Sequence, residues 1–298
     1  MIIDFHTHTF PEKIEKKAIS ILCYNSGLVP YIKGTVDGLV ESMRQSGVDY
    51  SVILPIVTNP AQLDTINSAA TTINELYEDK GIISFGSIHP DNSNYSDVIK
   101  SIAHNGIKGI KFHPVYQEVP FDDIRYKRII SCACDNDLII QVHGGYDIGF
   151  PGVDFASPSR IKNVINDTKP EKMIMAHMGG WGYWNEIEEM LNEYKLLMDT
   201  SFSITKVRKQ INQKNITTVT NDNTMKIGGI DTVEDNSCLL SNEQFVRLVR
   251  LAGAQNVFYG SDSPWSMQSE AIDAVKQSGL DDSEIKLILG ENAAKLLL

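Results

Sequence analysis

Apolar and polar positions alternate along the chain in a repeated unit: a short β-branched or aliphatic run, then a longer stretch with apolar residues at helical spacing. Residues 1–8 open the series as a buried strand, and helical spacing follows over 11–24 and 35–45, with Ser46-Gly47 as the stop. Residues 50–57 form the kind of apolar run expected of a strand covered on both faces. The pairing then recurs as helix 59–79 with strand 82–88, helix 95–104 with strand 107–113, helix 122–136 with strand 138–143, and helix 157–167 with strand 173–177. Helix 184–193 with strand 196–201, helix 243–252 with strand 257–262, and helices from Gln268 onward complete it.

Eight such strands, each followed by helix, predict an α/β fold of one domain over 1–298, a closed (β/α)8 TIM barrel rather than an open doubly wound sheet. Chemistry in a barrel of this kind belongs at the mouth, where strands end and loops begin. The polar stretch 203–241 after the seventh strand breaks the rhythm and contains a possible small hairpin over 215–223. A loop of that length is expected to be a lid, a subunit contact or a floppy insertion.

The histidines follow the mouth rule. His6 and His8 end the first strand, His89 follows the third, and His113, His143 and His177 end the fourth, fifth and sixth, while Asp262 ends the eighth. Only His104, in a predicted helix, falls elsewhere. Period-two alternation puts Asp4, His6 and His8 on one strand face, with the two imidazoles roughly 7 Å apart in Cα terms. Two imidazoles on one rigid strand suit a single borderline metal ion. A hydrolytic metal site needs fixed ligands and an open position where bound water becomes a nucleophile. His6, His8 and His143 can supply three nitrogens, and Asp262 can complete the set and accept the proton of that water. His177 then stands just outside, to orient the water or polarise a carbonyl, with Gly179 and Gly180 permitting close approach of a ligand.

Composition narrows the partners. A formal charge of −11 opposes binding to nucleic acid or acidic membranes, so a small-molecule substrate is expected. Cys132 and Cys134 are too close for a useful disulfide, and with no targeting or spanning run ahead of the first strand a cytoplasmic protein is expected. Trp181, Tyr183, Trp184 and Trp265 form an aromatic collar that stacks on a planar substrate or covers a lid. Arg160 is either a bidentate carboxylate clamp or an exposed arginine at a helix start.

Five ordered signatures carry a resemblance. These are Asp4-Phe5-His6-Thr7-His8, the run from Gly106 to Pro114, Val142-His143-Gly144-Gly145, the run from Met175 to Gly180, and the run from Tyr259 to Trp265. Together they resemble the amidohydrolase superfamily, in the amidohydrolase-related branch similar to aminocarboxymuconate-semialdehyde decarboxylase. The resemblance implies one divalent metal, usually zinc, with Mn2+ or a second ion as alternatives, held by His6, His8, His143 and Asp262, and His177 as the catalytic histidine. In binuclear relatives a lysine placed like Lys111 is carboxylated to bridge two metals, whereas single-metal members leave it unmodified. His113 is a substrate contact, a partner for Lys111 or a structural residue; His89 is undecided in the same way. The leading expectation is a metal-dependent hydrolase of an amide, ester or lactone. The alternative is a non-oxidative decarboxylase of an aromatic or unsaturated acid, and the third is a catalytically silent metal-binding barrel. A homodimer is expected by analogy.

Overall fold

The apolar runs fold as short parallel strands, in a computed structural model that describes residues 1–210, 232–235 and 239–298. The strands are β1 (Ile3–Thr7), β2 (Tyr50–Ile53), β3 (Ile82–Ser84), β4 (Gly86–Ser87), β5 (Gly109–Phe112), β6 (Ile139–Val142), β7 (Met173–Met175), β8 (Leu197–Asp199) and β11 (Val257–Phe258). They pair in the orders β1-β2-β3 and β11-β8-β7-β6-β5-β4. The two sheets meet at both edges. Phe85, between β3 and β4, donates its N–H to Ile53 O at 2.9 Å, so the predicted third strand is one path with a break in pairing. At the other seam Phe5 N–H reaches Tyr259 O (2.8 Å), Asp262 N–H reaches His6 O (2.9 Å) and His8 N–H reaches Ser263 O (2.7 Å). Hydrogen bonds therefore run around the whole ring, and the fold is a (β/α)8 barrel.

Helices cover the outside: α1 (Glu12–Ser26), α2 (Val36–Ser46), α3 (Leu63–Leu76), α4 (Tyr95–His104), α5 (Ile124–Asp135), α6 (Pro158–Thr168), α7 (Trp184–Leu191) and α8 (Asn242–Ala252). The expected helix 59–79 is α3 flanked by two 3-10 turns, Pro60–Gln62 and Glu78–Lys80, the first set by the Asn59 side chain accepting Ala61 N–H. The C-terminal stretch divides into α9 (Gln268–Lys276), α10 (Asp282–Lys286) and α11 (Asn292–Leu297). Among the described residues no helix is long and apolar enough to cross a membrane.

The core has two layers. Ile3, Phe5, Val52, Leu54, Phe85, Ile139, Ile174 and Phe258, from strands all around the ring, pack on one another inside the barrel, with Ala293 and Leu297 of α11 joining them. A larger cluster of the opposite strand faces and the helices surrounds them.

This packing corrects one expectation from period-two alternation. Ile3 and Phe5 point into the barrel, and the register of β1 against β2 shifts between Asp4 and Thr7, so His6 also points inward. Asp4 is left on the outer face. Its carboxylate accepts Ser261 N–H and Oγ–H and the Gln268 Nε2–H of α9, fastening β1 to the last strand and its helix.

The insertion begins with β9 (Val207–Gln210), which pairs antiparallel with β10 (Thr232–Asp235). β9 also holds the loop after α1: Val29 N–H reaches Arg208 O at 2.8 Å and Gln210 N–H reaches Gly27 O at 2.9 Å. Val207 packs on Leu28 and Phe202, with Trp181, Trp265 and Ile148 against them, an apolar roof on one side of the mouth. The hairpin expected over 215–223 lies outside the described residues.

Candidate active site

β1 delivers two imidazoles to one point. His6 Nε2 and His8 Nε2 are 3.1 Å apart, and Asp262 Oδ1 lies 3.4 Å from the first and 3.2 Å from the second. The other nitrogen of each ring identifies its tautomer. His6 Nδ1 is 2.8 Å from Asp199 Oδ2 and His8 Nδ1 is 3.0 Å from Leu54 O, both acceptors, so each Nδ1 carries the hydrogen. Each Nε2 then presents a lone pair, that of His6 with Lys111 Nζ 3.5 Å away. Two lone pairs and a carboxylate oxygen face one another with no hydrogen between them, an arrangement that repels unless a cation is shared. A ring that ligates through one nitrogen while donating from the other to a carboxylate or carbonyl is the usual form of a metal-bound histidine.

A second pair of lone pairs lies alongside. His177 Nδ1 is 3.0 Å from Ser201 O and donates to it, leaving Nε2 bare. His143 Nε2 donates to Tyr146 O at 3.0 Å, leaving Nδ1 bare, and the two bare nitrogens are 3.0 Å apart. The His177 ring lies 5.3 Å from that of His6 and 4.8 Å from that of His143, so it stands between them. Thus His6, His8 and Asp262 converge tightly, while His143 meets them through His177 and groups more closely with His113 and Asp147.

Backbone conformation places the acid and the histidine. His177 (φ +59°) and Asp262 (φ +64°) adopt left-handed conformations that cost a non-glycine residue free energy and are kept where the surroundings demand them. Gly260 allows the last strand to approach β1: a Cβ there would sit 2.8 Å from His6 Cβ.

Beneath the imidazoles lies Asp199, fully buried at the end of β8. Its Oδ2 accepts from His6 Nδ1 and Gln141 Nε2, and its Oδ1 accepts the N–H groups of His177 (3.2 Å) and Ser201 (2.9 Å) and the Ser201 hydroxyl. Burial alone would raise this carboxyl, but His6, His177 and these donors outweigh it and hold Asp199 well below the usual carboxylate range. Asp262 is likewise held well below the usual carboxylate range against burial, by the imidazoles of His8, His6 and His177 around it. Burial, reinforced by the Lys111 ammonium, lowers His6 to about 4, so the acids carry the charge and the imidazole is neutral.

Other expected residues take mixed places. Lys111 is buried with Nζ 3.5 Å from His6 Nε2, and burial lowers it to about 8 against the pull of Asp199 and Asp262. His113 does not pair with Lys111: it stacks on His143 (4.0 Å, 13°) and places Nε2 3.3 Å from Asp147 Oδ2. Parallel rings cannot aim in-plane lone pairs at one ion. His89 is structural, with Nε2 on Gln117 O and Nδ1 accepting Asp91 N–H. Arg160 is a correction to the expected clamp, because Asp122 Oδ1 (2.6 Å) and Asp154 O (2.9 Å) already occupy its guanidinium on the barrel's outside. Trp181 and Trp265 sit in the roof, with Trp181 6.0 Å from Phe202 and Phe202 6.2 Å from His177. Tyr183 stacks on Tyr146 at 4.2 Å, and Trp184 donates its indole N–H to His177 O.

Asp199, Ser201, Gln141 and Asp147 were missed from the sequence. Asp199 had a signal, since it ends a strand as the histidines do; the others only acquire a role from neighbours far away in the chain.

The chain belongs to the amidohydrolase family, whose description, Amidohydrolase, matches residues 3–298. It is an enzyme of that family. A search of curated proteins found no match. Among solved structures the fold is similar to 5-carboxyvanillate decarboxylase from Sphingomonas paucimobilis (TM-score 0.69, 12% identity, covering 99% of this chain and 98% of that one). It is also similar to an uncharacterised TIM-barrel protein from Bordetella bronchiseptica (0.71, 15%, 99% and 98%). A third is a dihydroxybenzoic acid decarboxylase from Polaromonas sp. JS666 with bound manganese and 2-nitroresorcinol (0.64, 11%, 99% and 96%).

Proposed function

We propose that the protein is a metal-dependent carboxy-lyase that removes carbon dioxide from an aromatic or unsaturated acid. The observation that carries the metal is the meeting of His6 Nε2, His8 Nε2 and Asp262 Oδ1 with no hydrogen among them. Nitrogen and carboxylate donors of this kind suit zinc, and manganese accompanies one of the similar folds. His6, His8 and Asp262 would hold the ion, with His143 Nδ1 as a further donor. Once bound, the ion supplies positive charge against an acid's oxygens and lowers the cost of negative charge developing there.

Decarboxylation replaces a C–COO⁻ bond by C–H, so the protein must deliver one proton to carbon for each carbon dioxide released. His177 is suited to deliver it, because Ser201 O fixes Nδ1–H and leaves Nε2 as the bare position where a proton can be held and passed on. Phe202, Trp181 and Trp265 offer a flat apolar wall beside it. The wall and the likeness to decarboxylase folds support an aromatic acid over the hydrolytic reading.

Hydrolysis of an amide, ester or lactone is the second reading, favoured by Asp262, held ionised beside His6 and His8 and able to accept a proton from water. Carbon dioxide release from a panel of aromatic and unsaturated acids, run beside amide, ester and lactone substrates, separates the two. His8→Ala should lose both the ion and turnover; a fully active, metal-free His8→Ala enzyme rejects the proposal.

A further inference from the structure

The histidine that follows β5 is held on every side, yet no chemistry so far uses it. His113 and His143 are both buried, and their rings lie nearly parallel, 4.0 Å apart at 13°. Tyr116 packs edge-on against His113 at 4.3 Å, and Phe150 packs edge-on against Tyr116 at 5.2 Å. Both nitrogens of the His113 ring are engaged. Nδ1 accepts Tyr116 N–H at 3.4 Å, so the hydrogen sits on Nε2, which lies 3.3 Å from Asp147 Oδ2. The backbone is fixed as well, since His113 N–H reaches Gln117 Oε1 at 3.0 Å and the Gln117 amide donates to Val57 O (2.9 Å) and Ile88 O (2.8 Å). With its nitrogens occupied inside the protein, what His113 offers the site is the flat face of its ring.

That face meets a need of His143. The χ2 torsion of a histidine is broad and roughly two-fold, so the side chain alone does not decide where its nitrogens point. His143 presents Nδ1 to His177 Nε2 at 3.0 Å. Its other nitrogen donates to Tyr146 O at 3.0 Å, and one such bond holds one point of a ring without fixing its plane. The parallel ring of His113 fixes the plane, because tilting His143 out of the stack drives its edge into a neighbour 4.0 Å away. The two supports come from one short loop. Tyr146 O holds His143, and the next residue, Asp147, reaches His113 with Oδ2 while its Oδ1 accepts Gly149 N–H at 2.7 Å. This loop is tied in turn to the one after His177, with Tyr146 N–H on Trp181 O (3.0 Å) and Trp181 N–H on Gly144 O (2.9 Å).

We propose that His113 is a positioning residue: its ring is the platform that sets the plane of His143 and keeps Nδ1 aimed at His177, with Asp147 holding the platform in place. For its effect on the ion this rests on His143 being a further donor, as in the carboxy-lyase reading. Partners that orient a metal-bound histidine typically change metal affinity about 10- to 100-fold when removed.

A platform and a ligand make opposite demands on position 113, for a platform needs a flat ring and no nitrogen, whereas a ligand or substrate contact needs the nitrogen. The full chain, chelated and labelled with 15N-histidine, shows by long-range 1H–15N correlation which nitrogen of each ring carries the hydrogen. The His143 signals, among seven histidines, are those absent from His143→Gln. Wild type and His113→Phe should each show a single His143 form with its hydrogen on Nε2, and His113→Ala should show averaged nitrogen shifts. Zinc affinity, by competition with a chromophoric chelator, should fall about tenfold in His113→Ala and stay within about twofold of wild type in His113→Phe. Should the alanine protein not fold, His113→Leu, which fills the volume without a flat face, carries the same expectation. His143 signals unchanged in His113→Ala overturn the proposal, and so does a His113→Phe protein as disturbed as His113→Ala. The expected His143 pattern in proteins that take up no zinc supports the platform and rejects the ion alone; zinc bound equally by all three, with His143 signals unchanged, rejects the platform alone.

Discussion

Asp199 does at the residue scale what no single histidine can do for itself. By accepting His6 Nδ1–H it exposes the lone pair at Nε2, and through the backbone N–H groups of His177 and Ser201 it fixes the loop that carries the next imidazole. Asp199→Asn keeps the shape and offers an N–H where an acceptor stood. Metal affinity should fall roughly 10- to 100-fold, measured by competition with a chromophoric chelator; unchanged affinity would show that Asp199 is only packing. Asp4 permits a prediction of the opposite electrostatic sign. Burial raises its carboxyl to about 6, against its Ser261, Gln268 and His6 donors. A raised folded pKa contributes stability that is fully present below the unfolded value near 4 and lost as pH rises through about 6. Chelated wild-type protein should therefore lose on the order of 2–3 kcal/mol between pH 4 and 6 relative to Asp4→Asn, read by urea unfolding. Parallel pH profiles for the two proteins would refute it.

Elements were more legible in the sequence than the side chains they aim. Period and breakers reveal the strands and helices because apolar spacing is a local property, and most of the eight units lie within a few residues of their expected bounds. The facing of Asp4 was not legible, since a register shift is decided by the partner strand and by what fills the barrel, here Phe5 against Phe85 and Phe258. The occupation of Arg160 by Asp122 is likewise a contact across 38 residues that no local pattern records. At the roof, β9 is held by backbone bonds to the loop after α1 and by Val207 among Leu28 and Phe202. Val207→Asp puts a carboxyl into that apolar cluster, and thermal unfolding at neutral pH should show a loss of at least ~2 kcal/mol. The deficit should shrink when the carboxyl is protonated at low pH, whereas a pH-independent deficit would point to lost shape instead.

For the whole molecule, an ion bound to the folded state alone adds stability by mass action, about 4 kcal/mol at a thousand times its Kd. Exhaustive chelation should lower Tm, and stoichiometric zinc or manganese should restore it. The same Tm with and without chelator would mean that His6, His8 and Asp262 do not share an ion. The acidic balance of the chain, −11 at neutral pH, adds a general attraction for cations to that local one.

The seam between β1 and the last strand carries a consequence for biosynthesis. Both imidazoles of the trio emerge from the ribosome well ahead of their carboxylate partner, which follows 254 positions after His8. A nascent polypeptide thus cannot assemble the complete chelate until Asp262 has left the ribosome, so full ion loading waits for the last strand and is a natural report that the ring has shut.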